Sequence, residues 1–356
     1  MSNIVDYLKW RGDLKIDDKH PFNEIDSMIL ARFSYLIFHR IELHPNITIK
    51  EIAEQMRKYD DKDFNYLGDR DLIINMGESD RFKDMFVSDY VHKADLETEK
   101  QFCAIVIHIS DEEMYVSFEG TDKTINGWKE DFNLAFQKNI PAQIEGVNYL
   151  TEVANEYRGK KIRIGGHSKG GNIAIYSALF APFELQNRII KIDNFDGPGL
   201  DDSLYKESEN KSILSRMATY MPQDSVIGRL LEHEEQKIVV ESVEKRIYQH
   251  DIYSWQVLRD KPIVVSDVTE SSNRMNRAVQ EWLIGTTPQQ RKIFIDSICE
   301  VLYENEVTST IDLQSTLFKK APQLIKAYKE ISDDDKKAIM ENVKQFVKSY
   351  IEARKK

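Results

Sequence analysis

The middle of the chain contains short apolar or alternating runs of strand length, and stretches with helical periodicity separate them. The first two runs are joined by an acidic turn at residues 111–113, which predicts a β-hairpin. The later runs alternate with predicted helices, a pattern typical of an α/β fold with a largely parallel sheet. The runs cover residues 102–109, 114–121, 160–164, 189–195, 216–221 and 237–242.

Helical periodicity dominates the N-terminal part of the chain. Apolar residues recur at helical spacing between residues 23 and 41, which predicts an amphipathic helix that packs on the core. A second helix is predicted over residues 48–58, with Thr48 as its N-cap and Glu51 completing a capping box. Residues 81–90 are predicted to be helix or loop, and an acidic, polar stretch follows up to about residue 100.

The strand pattern stops near residue 271, and the remaining sequence is predicted to be helical. We therefore expect one domain over residues 1–270, which contains the sheet and the N-terminal helices, and a helical C-terminal region over residues 271–356. An antiparallel bundle is the favoured arrangement of that region. A lid, a surface for a partner and a transient contact with a membrane surface are the alternatives. The predicted helices cover residues 273–283, 288–303, 313–331 and 333–353.

The motif Gly-x-Ser-x-Gly occurs at residues 166–170, between a predicted strand and a predicted helix. A serine in this strand–turn–helix context has strained backbone geometry, and glycines on both sides let neighbouring elements approach it. We therefore predict that Ser168 is a nucleophile. Because the motif also opens a helix, the backbone N–H of Lys169 is expected to stabilise an oxyanion. The alternative is a glycine-rich turn in which Ser168 only caps the helix.

Composition narrows the classes of function. The chain has 356 residues, of which 41% are hydrophobic and 31% are charged, and this balance is that of a soluble globular protein. Its formal net charge of -11 argues against a general nucleic-acid binder. The N-terminus has no basic, apolar leader, and the chain has no apolar run long enough to span a membrane, so a cytoplasmic location is expected.

No metal or cofactor is expected from the sequence. The eight histidines show no metal-binding spacing, and the glycine-rich segment lacks the order of a phosphate-binding loop. Cys103 and Cys299 lie far apart in the chain and are predicted to be buried thiols in a reducing compartment.

A serine nucleophile needs a histidine as general base, and in α/β-hydrolases that histidine follows the serine in the chain. Only His233 and His250 follow Ser168. His233 lies in a charged, helix-like segment that is typical of a solvated surface. His250 lies in a loop after a predicted strand and near aromatic residues, so it is the favoured base.

Three aspartates follow predicted strands and could orient that base. Asp251 is adjacent to His250 in sequence, and adjacent side chains rarely pair well. Asp196 precedes Gly-Pro-Gly, which is typical of a structural turn. Asp224 is therefore the favoured acid and Asp196 the second choice. Asp196 and His167 are also candidates for residues that line the substrate pocket.

Five segments, taken in order, resemble the conserved blocks of the class 3, or fungal-type, lipases. The resemblance is strongest to a bacterial lipase-like branch of that α/β-hydrolase superfamily, and it spans about residues 100–260. It implies an α/β-hydrolase fold, with a mostly parallel central sheet flanked by helices, and leaves the all-helical C-terminal appendage outside. The segments are residues 116–121, 127–131, 166–171 and 222–226, and His250 with Trp255.

The resemblance also implies roles for individual residues. Ser168 would be the nucleophile, Asp224 the acid, His250 the base, and Thr121 the second oxyanion donor beside Lys169. The expected activity is that of a serine hydrolase that cleaves a carboxylic ester, with a small acyl ester or a lipid as substrate. The alternatives are a non-catalytic binding or scaffold module, and another acyl transfer such as that of a thioesterase, an amidase or a transacylase. The oligomeric state stays open.

Two residues depart from the pattern of that family. Class 3 lipases usually have arginine at the position of Glu119 and an uncharged residue at the position of Lys169. Their preference for lipid therefore does not transfer to this chain. A lysine directly after the nucleophile suggests an anionic substrate, and a solvent-facing side chain is the alternative.

Overall fold

A computed structural model of the protein describes residues 2–304 without residues 96, 123, 124 and 209, together with eight single positions between 333 and 348. The contacts divide the chain into two compact units. The first comprises residues 1–92, 102–120 and 143–269, and the second comprises residues 93–101, 121–142 and 270–356. The second unit thus includes two segments that the sequence assigned to the first domain.

A seven-stranded sheet organises the fold, and its strand order follows the chain from β1 to β7. Strands β2 and β3 pair antiparallel, which confirms the predicted hairpin, and the pairs from β3 to β7 are parallel. The predicted α/β-hydrolase fold, with its mostly parallel sheet, is thereby confirmed. The strands are β1 (Phe86–Asp95), β2 (Lys100–His108), β3 (Glu113–Phe118), β4 (Lys161–His167), β5 (Ile189–Phe195), β6 (Met217–Pro222) and β7 (Gln236–Val240).

Strand β1 corrects the sequence prediction, which placed helix or loop over residues 81–90. Its central residues are only partly buried, so the strand lacks the continuous apolar run that marks the buried strand β2. A small two-stranded sheet is formed by β8 (Val257–Leu258) and β9 (Lys261–Pro262).

Helices begin close to the starts predicted at residues 23, 48, 273 and 288, and the elbow opens a helix as predicted. The helices in the described part of the chain are α1 (Ile4–Arg11), α2 (Glu24–Phe33), α3 (Ile49–Met56), α4 (Asp69–Glu78), α5 (Ile125–Asn133), α6 (Pro141–Glu156), α7 (Lys169–Phe180), α8 (Phe183–Gln186), α9 (Asp202–Glu207), α10 (Glu270–Gly285) and α11 (Pro288–Glu304). The capping box of Thr48 and Glu51 is present at α3.

Helix α2 ends eight residues earlier than the periodicity predicts. The hydroxyl of Ser34 donates a hydrogen bond to the carbonyl of Ala31 at 2.9 Å. A side chain that bonds to the backbone three residues earlier competes with the helical pattern, and the chain leaves the helix here.

Helices α2 and α7 pack on opposite faces of the sheet at β4. A Cβ placed on Gly165 would lie 2.0 Å from the hydroxyl of Tyr115, which hydrogen-bonds to Ser27 of α2. A Cβ on Gly166 would lie 2.3 Å from the backbone of Gly170 in α7. Since successive residues of a strand point to opposite faces, α2 covers one face and α7 covers the other.

The second unit has a small core of its own. Ile295 and Cys299 of α11 are buried and pack with apolar side chains that include Ala135. The guanidinium of Arg291 donates to the carbonyl of Ala135 at 2.5 Å and to the carbonyl of Leu283 at 2.6 Å. These bonds join α11 to α10 and to the segment after α5. Both cysteines of the protein, Cys299 and Cys103, are buried free thiols.

The predicted helices over residues 273–283 and 288–303 correspond to α10 and α11. The predicted helices over 313–331 and 333–353 lie outside the described residues, apart from the eight single positions. Within the described part of the chain, no helix combines the length and the apolar character needed to cross a membrane.

A buried histidine at the end of β2 makes stability depend on pH. The ammonium of Lys160 lies 3.2 Å from Nδ1 of His108, whose Nε2 lies 2.9 Å from the hydroxyl of Ser88. The imidazole stacks on Phe86, with ring centroids 4.0 Å apart. Burial, followed by the charge of Lys160, lowers the pKa of His108 to about 4.

We predict that the free energy of unfolding falls as the pH decreases from about 6.5, the ordinary histidine pKa, towards 4, because the unfolded chain takes up a proton that folded His108 does not. The His108→Gln variant should lose less stability in this window than the wild type. Urea unfolding at several pH values measures the difference, with His44→Gln at an exposed histidine as the control. An unchanged pH dependence in His108→Gln would contradict the prediction.

Candidate active site

Ser168 lies at the turn between β4 and α7, as the motif predicts. Its backbone has φ of 59° and ψ of -132°, in the region that residues other than glycine seldom adopt. The N–H of Ser168 donates to the carbonyl of Phe195 at 2.9 Å, and this bond ties the turn to the end of β5. The strained serine is therefore fixed at the carboxyl end of the sheet.

The glycines of the motif allow the turn to lie against β3. A Cβ on Gly170 would lie 2.1 Å from the carbonyl oxygen of Phe118, and one on Gly166 would meet the backbone of Gly170. Real Cβ atoms do not approach backbone atoms this closely. Glycine at both positions is thus a packing requirement of the elbow.

His250 lies at the end of a short 3₁₀ helix, Arg246–His250, and its side chain is 24% exposed. Its Nδ1 donates a hydrogen bond to Oδ2 of Asp196 at 2.7 Å. Because Nδ1 carries the proton in this bond, Nε2 of the neutral imidazole is the nitrogen available to accept one. This is the state that a general base requires.

The carboxylate of Asp196 is fully buried and is held by three donors. Besides His250, the hydroxyl of Ser225 donates to its Oδ1 at 2.5 Å and the N–H of Gly228 donates to the same oxygen at 3.1 Å. The backbone of Asp196 has φ of 52°, and its N–H donates to the carbonyl of Tyr220 at 2.7 Å. The carboxylate therefore has a fixed orientation towards His250.

The predicted pairing of His250 with Asp224 is not found, because Asp224 bonds elsewhere. Its carboxylate accepts from the N–H of Arg246 at 3.1 Å and from the hydroxyl of Thr269, and its own N–H donates to the side chain of Gln249 at 2.7 Å. The reason lies in the sheet. Strand β5 is the direct neighbour of β4, whereas β6 is one strand further away. The residue after β5 therefore lies beside the elbow.

The structure also corrects the surroundings of His233, which were predicted to be solvated surface. Its side chain is only 4% exposed, and Nδ1 lies 2.6 Å from Oε1 of Glu235. The carboxylate of Glu235 also accepts from Tyr205 at 3.1 Å. His233 thus belongs to a buried polar cluster with Glu235 and Tyr205, and Glu235 is its hydrogen-bond partner.

His167, a predicted pocket residue, is buried between the elbow and the loop of His250. Its Nε2 donates to the carbonyl of His250 at 2.7 Å, and the two imidazole rings have centroids 4.5 Å apart. The hydroxyl of Tyr35 lies 3.0 Å from the carbonyl oxygen of His167 and 3.3 Å from its Nδ1. Burial, followed by the nearby His250 and Arg32, lowers the pKa of His167 well below its usual value, so this imidazole is neutral.

The two predicted oxyanion donors belong to different units. Lys169 is the first residue of α7, and its side chain is buried, which contradicts the solvent-facing alternative. Thr121 belongs to the second unit, where its hydroxyl donates to the carboxylate of Asp131. Gly120, the residue before Thr121, packs on the elbow, since a Cβ there would lie 3.1 Å from Cβ of Ser168 and 2.1 Å from the hydroxyl oxygen of Tyr35.

Ser225, Gly228 and Tyr35 hold this site together, and the sequence gives no sign of their role. Each is separated from its partner by many residues, and although Ser225 lies in the lipase-like segment 222–226, that resemblance assigns it no role. Within the described residues, no group of three or more His, Cys, Asp or Glu side chains is arranged to hold a metal ion. The predicted absence of a cofactor stays a prediction.

The arrangement places a carboxylate–imidazole pair at the end of the strand next to the strained serine. Both Ser168 and Asp196 have positive φ, and such strain in residues other than glycine is concentrated at functional sites. The structure contains no hydrogen bond between the hydroxyl of Ser168 and His250. Such a bond often forms only when substrate is present. Chemically, an imidazole oriented by a carboxylate can take the proton of a nearby hydroxyl and later give that proton to a leaving group.

The model of a protein family described as Mbeg1-like matches residues 76–300, which is well over half of the chain. No curated protein matches the chain. Among solved structures, M37 lipase is 13% identical with a TM-score of 0.39, and the match covers 75% of this chain and 96% of that one. The Lip2 lipase of Yarrowia lipolytica is 12% identical with a TM-score of 0.35, over 72% of this chain and 87% of that one.

We predict that Gly170→Ala destabilises the protein, because its Cβ would meet backbone atoms of β3 that cannot rotate away. The expected loss is about 1–3 kcal/mol of unfolding free energy, the usual range for overpacking. Urea unfolding of the variant measures it. Glu152→Ala, at an exposed position of α6, is the control and should change stability by less than about 0.5 kcal/mol. Equal stability of the two variants would contradict the close approach of α7 and β3.

Proposed function

The chain belongs to the Mbeg1-like family, and on that premise we propose that it is a serine hydrolase that cleaves a carboxylic ester through Ser168, His250 and Asp196. The observation that carries the proposal is the hydrogen bond of 2.7 Å from His250 to the buried carboxylate of Asp196. This pair lies at the end of the strand that neighbours the elbow of Ser168. The same three types of residue in the same roles make up the Ser-His-Asp triads of hydrolases.

In the proposed reaction, Oγ of Ser168 attacks the ester carbonyl while Nε2 of His250 takes its proton. The carboxylate of Asp196 stabilises the imidazolium. The tetrahedral oxyanion is stabilised by the backbone N–H of Lys169, aided by the N-terminus of α7.

The intermediate then collapses, the bond to the leaving oxygen breaks, and the imidazolium protonates that oxygen. An acyl-enzyme remains on Ser168. Water repeats the sequence with His250 as base, which releases the carboxylic acid and restores the hydroxyl of Ser168. Atoms and charges balance without a cofactor.

The proposed substrate is a small acyl ester or a lipid. Three large apolar side chains on the segment that leads to His250 are exposed: Val243 by 47%, Ile247 by 51% and Tyr248 by 71%. Exposed apolar groups beside a site of this kind suit the apolar part of an acyl substrate.

We predict that a fluorophosphonate labels the purified protein on Ser168 and that Ser168→Ala is not labelled. The reagent forms a covalent bond only with an activated nucleophile, and hydrolysis of esters of graded chain length should be lost together with labelling. Peptide mass spectrometry locates the adduct. A folded wild-type protein that takes up no label would overturn the proposal and favour a non-catalytic binding module.

We predict that Asp196→Asn and Asp224→Asn differ sharply in turnover. Loss of the carboxylate that orients the imidazole costs about 10⁴-fold in kcat in a triad, so Asp196→Asn should approach that loss. Asp224→Asn removes only an anchor of the loop and should cost about 10-fold or less. Ester hydrolysis by the two variants, matched for folding by circular dichroism, makes the comparison. The reverse order would restore Asp224 as the acid.

A further inference from the structure

A buried ion pair lies beneath the loop that carries His250. Nε of Arg32, in α2, donates to Oδ1 of Asp69 at 2.8 Å, and a terminal nitrogen of the guanidinium donates to Oδ2 at 3.0 Å. The two side chains are 2% and 0% exposed. Burying two charges carries a large desolvation cost, which only well-placed partners offset.

Two chains of contacts, or arms, lead from this ion pair to the loop of His250. The first arm reaches the loop directly. The hydroxyl of Tyr253 donates to Oδ1 of Asp69 at 2.8 Å, and the guanidinium of Arg32 lies 5.3 Å from the centre of the Tyr253 ring. Tyr253 is three residues after His250. The side chain of Asp251 accepts from the N–H of Tyr253 at 3.1 Å, so the intervening turn is compact. The loop is thus fixed on its C-terminal side.

The second arm passes through the elbow. The guanidinium of Arg32 lies 4.3 Å from the centre of the Tyr35 ring, whose hydroxyl lies 3.0 Å from the carbonyl oxygen of His167. Nε2 of His167 then donates to the carbonyl of His250 at 2.7 Å. The backbone of His250 is therefore also held at its own carbonyl.

The charge states of Arg32 and His167 favour a network of fixed geometry. Burial acts to lower the pKa of Arg32, but Asp69 and the tyrosines around it outweigh burial and raise it, so the guanidinium stays charged. His167 is neutral and carries a proton on Nε2, which donates to the carbonyl of His250, while the hydroxyl of Tyr35 donates to the carbonyl oxygen of His167.

We propose that the Arg32–Asp69 ion pair is a positioning element for His250, which it holds both through Tyr253 and through Tyr35 and His167. The inference rests on the proposed function, because positioning matters only if His250 is the base. Asp196 fixes the imidazole at Nδ1, and the two arms fix the backbone that carries it. The N-terminal helices are thereby part of the active site.

The test removes one hydroxyl from each arm and leaves the packing in place. Tyr35→Phe, Tyr253→Phe and the double variant are compared with Tyr7→Phe. The control is matched, because Tyr7 also hydrogen-bonds to a buried aspartate, Asp26, which pairs with an arginine away from His250. Melting temperatures establish that all four variants fold.

Two readouts are measured. The first is the rate constant for fluorophosphonate labelling of Ser168, which depends on the placement of the base. The second is the NMR signal of the Nδ1 proton of His250 in protein labelled with ¹⁵N-histidine, which reports the bond to Asp196 whether or not the protein hydrolyses esters. The chain has eight histidines, so single His→Gln variants suffice to assign the signals.

Each arm variant should label about 10-fold more slowly or worse, because displacements of about 1 Å in a catalytic group cost up to about 10²-fold. Its Nδ1 proton should exchange faster with water. Tyr7→Phe should match the wild type in both readouts. In the double variant, the two losses should not simply multiply, because both arms hold the same group.

If the arm variants keep both the labelling rate and the Nδ1 signal of the wild type, the positioning role is wrong. If Tyr7→Phe loses as much as they do, the effect is general destabilisation and the proposal is equally wrong. A wild-type protein that is never labelled would instead overturn the proposed hydrolase. In that case, a changed Nδ1 signal in the arm variants would still support the positioning of His250.

Discussion

The parallel pairing of β4 with β5 is the constraint on which the site depends. Neighbouring parallel strands end at the same edge of a sheet, so the residues that follow them meet there. Ser168 follows β4 and Asp196 follows β5, and the bond from the N–H of Ser168 to the carbonyl of Phe195 fixes one end to the other. Once this register is set, His250 needs only to reach Oδ2 of Asp196 to complete the group.

Backbone strain at this edge is maintained by the packing around it. Ser168 and Asp196 both have positive φ, at a cost of about 1–3 kcal/mol each. Both residues are held by contacts at positions where only glycine fits. The elbow glycines lie against β3, and the N–H of Gly228 donates to the carboxylate of Asp196. The rigid sheet and the buried helices α2 and α7 supply the stability that offsets this cost.

Buried charges connect this edge to the N-terminal helices. An isolated charge in the core would be very unfavourable, so Arg32 is paired with Asp69 and surrounded by tyrosine rings. Such pairs add little net stability compared with apolar residues, yet they fix geometry because each donor has a defined acceptor. Here the fixed geometry ends at the backbone of His250. The N-terminal helices therefore contribute orientation to the site as well as apolar area to the core.

The sequence by itself determined the α/β class, the hairpin and the strand–turn–helix elbow at Ser168, because these follow from local periodicity and glycine spacing. The preference for His250 over His233 as base stays a prediction. The sequence did not identify strand β1, whose partly exposed residues lack a clear pattern. It also favoured Asp224 over Asp196, since a Gly-Pro-Gly turn is typical of structure alone. Only the tertiary structure decided that pairing, because strand order in a sheet is a long-range property: β5 lies beside β4, and β6 does not. The roles of Arg32 and Tyr35 depend likewise on contacts between residues far apart in the chain, which no local pattern encodes.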